Sequence, residues 1–125
     1  MVCHHDRMVV EVNQGCPRGF SFTLLQDEQP MDLTNLTVLF QVKISPYFKL
    51  PSLIEKEVTE DSDRTTVGVI TDPTQGVFQI QLTMEDTLKL PPDDYPLMIT
   101  IVDKDTRTNI SSDGNYNAVF RVCHQ

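Results

Sequence analysis

The chain has 125 residues, of which 18 are acidic and 10 are basic, and its formal net charge is −8 at pH 7. This length is sufficient for one domain with a hydrophobic core that needs no disulfide bonds. The negative charge argues against nucleic acid or an anionic membrane as a partner, because binding phosphate groups requires clustered Lys and Arg side chains.

Neither a membrane span nor a secretory signal is evident. The longest apolar run covers only a few residues, far fewer than the roughly twenty of a transmembrane helix. The first seven residues lack the apolar segment and the cleavage site of a signal peptide. Three cysteines, an odd number without an export signal, indicate reduced thiols and a cytoplasmic site of assembly.

The first part of the chain predicts three β-strands, over residues 7–13, 20–26 and 36–44, because apolar residues occupy alternate positions there. The third of these has the strongest pattern. Its residues expected to face the core are Val38, Phe40, Val42 and Ile44. Those expected to meet solvent or a partner are Thr37, Gln41 and Lys43.

Residues 45–52 predict an exposed loop, because Pro46 and Pro51 interrupt strand pairing there. Tyr47, Phe48 and Leu50 are apolar without clear alternation, and exposed apolar groups of this kind mark protein contacts. We therefore expect these three residues to bind a partner. Residues 53–59 then predict an edge strand, whose Glu and Lys content discourages unwanted pairing.

A hairpin follows, with strands over residues 65–71 and 77–83. Asp72 and Pro73 set up its turn, and Gly76 tolerates the positive φ that starts the return strand. Residues 84–89 predict one helical turn, which Pro91 and Pro92 end.

Two further strands complete the pattern, over residues 95–102 and 115–123. Tyr95, Leu97, Ile99 and Ile101 share the inward face of the first, and Tyr116, Ala118, Phe120 and Val122 share one face of the second. No segment keeps a 3.6-residue period, which excludes a helical domain. The sequence predicts an all-β sandwich of seven or eight antiparallel strands.

Metal-ligating residues lie at both ends of the chain, and the first and last strands of a sandwich can be neighbours. Cys3, His4 and His5 lie at one end, and Cys123 and His124 at the other. No ligand pair has the spacing that places two ligands on one element, so disordered ends are favoured over a zinc clip. The paired acids at 61/63 and 103/105 are interpreted as solvated turn residues rather than calcium ligands.

Catalysis is not indicated. All three histidines lie within a few residues of a terminus, and the chain has no phosphate-binding Gly-rich loop and no G-x-S-x-G motif. We therefore expect no enzymatic activity and no cofactor. Aromatic rings can stack on sugar faces, and Tyr47 and Phe48 are expected in a loop. A carbohydrate-binding module for host-surface attachment is therefore the alternative function.

Three segments carry a resemblance to a known family: DLTNLTVLFQVK at 32–43, ITDPTQG at 70–76 and LKLPPDDY at 88–95. Together they resemble the immunoglobulin-like domains of tailed-bacteriophage structural proteins, notably the amino-terminal domain of the upper-baseplate protein family. The resemblance covers roughly residues 7–122 and implies a single immunoglobulin-like β-sandwich domain over residues 1–125. Asp93 and Asp94 stand where relatives often have glycine.

This resemblance implies a virion structural protein that binds capsid, tail, baseplate or fibre proteins through sandwich edges and loops. Upper-baseplate proteins usually continue into a long fibre-like region that this chain lacks, so we expect an adaptor or a decoration subunit. Its partners are expected to be other virion proteins in a symmetric multi-copy assembly. The family implies no catalytic residues.

Overall fold

The structure is a computed structural model that describes residues 8–44, 52–106 and 118–124. The strands within these ranges are β1 (Met8–Asn13), β2 (Arg18–Thr23), β3 (Leu25–Gln26), β4 (Gln29–Pro30), β5 (Leu36–Lys43), β6 (Ser52–Val58), β7 (Gly68–Asp72), β8 (Val77–Leu82), β9 (Asp93–Asp103) and β10 (Ala118–Cys123). A 3₁₀ turn spans Pro73–Gln75, and a short helix, α1, spans Met84–Leu88.

Two sheets form a sandwich. The larger has the strand order β1-β10-β9-β5-β6, the smaller has the order β2-β8-β7, and β3 and β4 pair as a separate hairpin. These orders correspond to the two sheets of an immunoglobulin domain of the variable type. The expected all-β, immunoglobulin-like sandwich is confirmed.

One pairing differs from the expected antiparallel arrangement. β1 pairs with β10 in parallel, from Met8 opposite Ala118 to Asn13 opposite Cys123. The chain leaves β1 through a tight turn into the other sheet, so no hairpin connects β1 with β10 and imposes an antiparallel direction. The first and last strands, which the sequence left as possible neighbours, are paired.

Aromatic side chains join the two sheets in the core. Phe22 of β2 stacks on Phe78 of β8, with ring centroids 5.2 Å apart, and lies 6.3 Å from Phe40 of β5. Phe40 in turn meets Phe120 of β10 edge to face at 6.3 Å. Leu97, two residues after Tyr95, stands where antibody domains have the second cysteine of the inter-sheet disulfide. Aromatic packing therefore links the sheets here.

The predicted hairpin is present, and its first strand begins at Gly68 rather than at residue 65. Gly76 has a φ of +71°, and its carbonyl accepts a hydrogen bond from the Leu24 amide at 2.9 Å. A Cβ at this position would lie 2.6 Å from the Leu24 carbonyl oxygen. Both the turn conformation and the close approach require glycine.

Three residues in or next to β5 differ from the predicted burial pattern. Thr37 and Lys43, expected at the surface, are buried, whereas Ile44, expected in the core, is 63% exposed. Thr37 is enclosed because β5 lies between β9 and β6, where Val102 is its neighbour. The ladder shifts register between Val42 and Lys43, so the alternation does not continue to Ile44.

Candidate interaction surfaces

One end of the sandwich, which we name the α1 end, is formed by the β1–β2 turn, the ends of β5 and β6 that flank their connection, and α1 with its flanking residues. Hydrogen bonds join the β1–β2 turn to α1 and the residues that follow it. The Gln14 side chain donates to the Leu90 carbonyl at 2.8 Å, and the Gly15 amide donates to the Thr87 hydroxyl at 2.9 Å. These bonds fix the turn against the helix.

Tyr95 fixes the connection between α1 and β9. Its hydroxyl donates to the Pro91 carbonyl at 2.6 Å, and its side chain is buried. This is the tyrosine corner of immunoglobulin domains. Burial, with a smaller effect of Asp93, raises the pKa of Tyr95. The alternation placed Tyr95 inward but did not reveal the hydrogen bond; a tyrosine at the start of a strand after a helical corner is the signal for it.

Three exposed apolar side chains lie at the α1 end. Ile44 is 63% exposed, Leu88 54% and Met84 46%. Met84 and Leu88 are four residues apart and so lie on one face of α1. The predicted partner-binding residues, Tyr47, Phe48 and Leu50, lie outside the described residues.

The predicted edge strand is confirmed as an edge, since β6 is the outermost strand of the larger sheet. Lys56, however, is turned inward: its ammonium group lies 2.7 Å from Asp86 Oδ2 and donates to the Thr66 carbonyl at 2.6 Å. Glu55 and Glu57 are exposed. An inward-pointing charge is one way in which proteins prevent unwanted pairing at an edge.

The β7 edge is closed by a neighbouring segment of the chain. The Ile70 amide donates to the Thr59 carbonyl, and the Gly68 amide donates to the Asp63 carbonyl, both at 2.9 Å. The Ser62 hydroxyl donates to the Gly68 carbonyl at 2.6 Å. Residues 59–63 therefore use the backbone groups that β7 would offer to another strand.

Asp94, one of the departures from the family pattern, has an ion-pair partner. Its carboxylate accepts two hydrogen bonds from the Arg121 guanidinium, at 2.8 and 3.2 Å. Asp94 and Arg121 are opposite each other on β9 and β10. An aspartate here thus adds a cross-strand ion pair on the outward face of the larger sheet.

Two of the weak metal candidates are described. Cys123 lies at the end of β10, and its thiol donates to Glu11 Oε1 at 3.1 Å, which raises the pKa of the thiol. His124 is exposed. Within the described ranges no three His, Cys, Asp or Glu side chains are grouped as metal ligands. Cys3, His4 and His5 lie outside those ranges.

The acids considered for calcium stabilise their own turns. Asp63 Oδ1 accepts from the Thr65 amide at 2.8 Å and from its hydroxyl at 2.6 Å. Asp103 Oδ1 accepts from the amides of Asp105 and Thr106, at 2.9 and 3.0 Å. These hydrogen bonds lower the pKa of both carboxyl groups. These carboxylate oxygens thus bond groups of their own turns.

A sugar-stacking platform needs exposed rings. In the part of the chain that the structure describes, every Phe and Tyr side chain is buried or half-buried. The loop aromatics Tyr47 and Phe48, and Tyr116, lie outside that part.

Comparison with known proteins gives structural likeness only. No protein-family model matches the chain, and no curated protein matches it. Among solved structures, the fold is similar to the N-terminal domain of phage TP901-1 ORF48, with a TM-score of 0.57, 10% identity, and coverage of 94% of this chain and 84% of that chain. This likeness shows the fold.

Weaker similarities include the ZIG-8 IG1 homodimer, with a TM-score of 0.40 and 10% identity over 99% of this chain and 85% of that one. The ZIG-8–RIG-5 IG1–IG1 heterodimer gives a TM-score of 0.37 and 12% identity, over 98% of this chain and 87% of that chain.

In the described residues, no helix has the length and apolar character needed to cross a membrane.

Proposed function

We propose that this chain is a non-enzymatic virion structural protein of a tailed phage, an adaptor or decoration subunit that binds other virion proteins. The observation that carries the proposal is the likeness of 94% of the chain to the N-terminal domain of a phage protein. The resemblance of three sequence segments to immunoglobulin-like phage domains supports the same class independently of the strand order. The chain would act by binding other proteins through the shape of its strand edges and loops.

The α1 end is the surface that we propose for partner binding. Its exposed apolar side chains are Ile44, Met84 and Leu88. Hydrogen bonds from Gln14 and Gly15 hold the chain around Leu88 in place. Burying one such side chain contributes about 1.5 to 3 kcal/mol. Pre-formed backbone lowers the entropic cost of binding. Tyr47, Phe48 and Leu50 belong to the connection between β5 and β6, which leaves and re-enters the sandwich at this end.

The β6 edge is proposed as a second contact with a restricted partner. Its exposed side chains, Glu55 and Glu57, are both acidic. A partner strand would need Lys or Arg opposite them, because like charges directly opposite each other are destabilising. This edge thus selects a basic partner strand and rejects a second acidic copy.

The proposal is tested on purified particles of a phage that encodes the chain. Mass spectrometry should find the chain in the particles in a fixed copy number. A Tyr47→Ser/Phe48→Ser variant and a Met84→Ser/Leu88→Ser variant should both be lost from the particles. The matched control, Val9→Ser, changes a side chain that is 45% exposed on β1, away from the α1 end, and should be incorporated normally.

The folding of each variant is checked separately by its circular dichroism spectrum and thermal midpoint, which should match those of the parent. Absence of the parent chain from purified particles would contradict the virion role. Normal incorporation of both double variants would retain that role but reject the α1 end as the binding surface. If the chain is absent from particles and the isolated domain binds a glycan saturably, the carbohydrate-binding alternative is favoured.

A further inference from the structure

The β2 edge of the smaller sheet differs from the other three sheet edges. β6 has an inward Lys56 and exposed acids, and β7 is closed by residues 59–63. On β1, the Glu11 carbonyl accepts a hydrogen bond from Arg18 at 3.0 Å. β2, in contrast, has no bulge in its ladder with β8, and after Arg18 it has no charged residue. Natural proteins usually protect such an edge.

The backbone direction along β2 shows which groups are available. The Leu24 amide donates to the Gly76 carbonyl in the register of the β2–β8 ladder. In an antiparallel pair, alternate residues direct their N–H and C=O groups to the partner strand. The backbone N–H and C=O groups of Phe20 and Phe22 therefore point towards β8. Those of Gly19, Ser21 and Thr23 point away from it. These three residues are exposed and have no hydrogen bond to another described residue.

The side chains at this edge suit the addition of another strand. Gly19, Ser21 and Thr23 are small and uncharged, and they share the outward face. On the inward face, Phe20 and Phe22 are only partly buried, although they pack against the core. An added strand would cover both the unpaired backbone groups and this aromatic rim, which is the arrangement of β-augmentation.

The uncharged side chains of β2 favour a second copy of this chain as the occupant, because two copies can pair here without opposed charges. With a net charge of −8, two copies repel each other in general. If they met through β6, Glu55 and Glu57 of one copy would face the same acids of the other. At β2, an antiparallel pairing of two copies sets no charged side chain opposite another.

One alignment of the two β2 strands pairs all of their outward-directed backbone N–H and C=O groups. If Ser21 is opposite Ser21 of the second copy, Gly19 is opposite Thr23 and Phe20 is opposite Phe22. The outward-directed residues then form three directly opposed pairs, each of which exchanges two hydrogen bonds, giving six in all. Each inward Phe20 also gains a cross-strand aromatic neighbour.

We propose that two copies of this chain associate through their β2 strands, antiparallel, about a two-fold axis at Ser21. The two small sheets then form one continuous sheet of six strands. The pairing is isologous, since both copies use the same strand. It is a small interface, so the dimer is concentration-dependent. The inference does not depend on the virion role, because it rests on the edge alone.

Sedimentation equilibrium of the full chain over a wide concentration range tests this. The mass should rise from 14.2 kDa towards twice that value. Ser21→Lys places two like charges opposite each other at the axis, and Ser21→Pro removes a donor that β8 does not use. Both variants should remain monomeric at concentrations where the parent is a dimer. Gln79→Lys, an exposed change on the neighbouring strand β8, should dimerise as the parent does.

Amide hydrogen exchange locates the contact. The amides of Gly19, Ser21 and Thr23 should exchange more slowly as the protein concentration rises, and the Val9 amide should not change. A parent chain that stays monomeric at every concentration would overturn the proposal. So would a dimer that persists in both Ser21 variants, or concentration-dependent protection on β6 instead of β2.

Discussion

The Lys56 ammonium group lies 2.7 Å from Asp86 Oδ2, and this ion pair connects the edge of the larger sheet to the helix at the α1 end. Asp86 has a second role, because the same oxygen accepts the Thr83 amide at 2.7 Å and caps α1. The side chains are 8% and 20% exposed. One carboxylate thus neutralises a buried cation and begins a helix.

Replacing the two partners should have unequal effects. Asp86→Ala leaves the Lys56 charge buried without its counter-ion and removes the cap, and should lower the free energy of unfolding by about 3 kcal/mol. Lys56→Met removes the charge but keeps the aliphatic length, and Asp86 retains its hydrogen bond from the Thr83 amide, so this variant should lose less stability than Asp86→Ala does. Urea unfolding followed by circular dichroism measures both. If both variants lose the same free energy of unfolding, Asp86 stabilises the protein only through its ion pair with Lys56.

Tyr95→Phe removes the hydroxyl that donates to the Pro91 carbonyl. At pH 7 the variant should be less stable by about 1 kcal/mol. Because the pKa of Tyr95 is raised above its ordinary value of 10.0 in the folded state, the folded protein holds this proton more tightly than the unfolded chain. This contribution is complete below pH 10 and is lost as the pH rises through the raised pKa.

The free energies of unfolding of parent and Tyr95→Phe, measured in urea from pH 7 to about pH 11, should therefore converge above the ordinary tyrosine pKa. The other tyrosines titrate in both proteins and cancel in the comparison. A difference that stays constant over this range would show that Tyr95 ionises equally in both states.

Gly68 is the glycine at which substitution should be most harmful. Its φ is +115°, and an added Cβ would lie 2.0 Å from the Gln79 carbonyl oxygen, on the backbone of the paired strand. Gly68→Ala should cost more than about 3 kcal/mol or prevent folding. At Gly19 the nearest group to an added Cβ would be the flexible end of the Gln81 side chain, at 3.0 Å, and the nearest backbone atom would lie at 3.9 Å, so Gly19→Ala is the matched control. Thermal unfolding distinguishes them.

The β3–β4 hairpin turns through Asp27 and Glu28, whose φ values are +53° and +66°. Such a two-residue turn favours glycine at its second position. Glu28→Gly should raise the free energy of unfolding by about 0.5 to 1 kcal/mol, because the relief of left-handed strain exceeds the added entropy of the unfolded chain. Glu28→Ala removes the same charge but keeps the strain, and chemical denaturation should show no comparable gain.

The elements that the sequence predicted well are those with a local cause. Phe78, Ile80 and Leu82 alternate with glutamines, and all three are buried as expected. The turn at Pro73 and Gly76 depends on the backbone preferences of the residues that form it. The edge position of β6 followed from its own composition.

The errors have non-local causes. Lys43 has the polarity of a surface residue, but its burial depends on neighbouring strands. Ile44 continues the apolar pattern of β5, but a shift in the ladder with β6 breaks that pattern. The Glu and Lys content of residues 53–59 indicated an edge strand but not the direction of each charged side chain. Lys56 is buried, and α1 brings Asp86 to it from thirty residues further along the chain.

The amino-acid sequence by itself therefore determined the all-β class, most strand positions and the hairpin, since period-two alternation and turn residues act over a few positions. The tertiary structure decided the parallel pairing of β1 with β10, the Tyr95 hydrogen bond, the exposure of Ile44, Met84 and Leu88 at one end of the sandwich, and the free edge of β2. Each of these depends on which distant segments become neighbours, and that is settled only when the two sheets pack together.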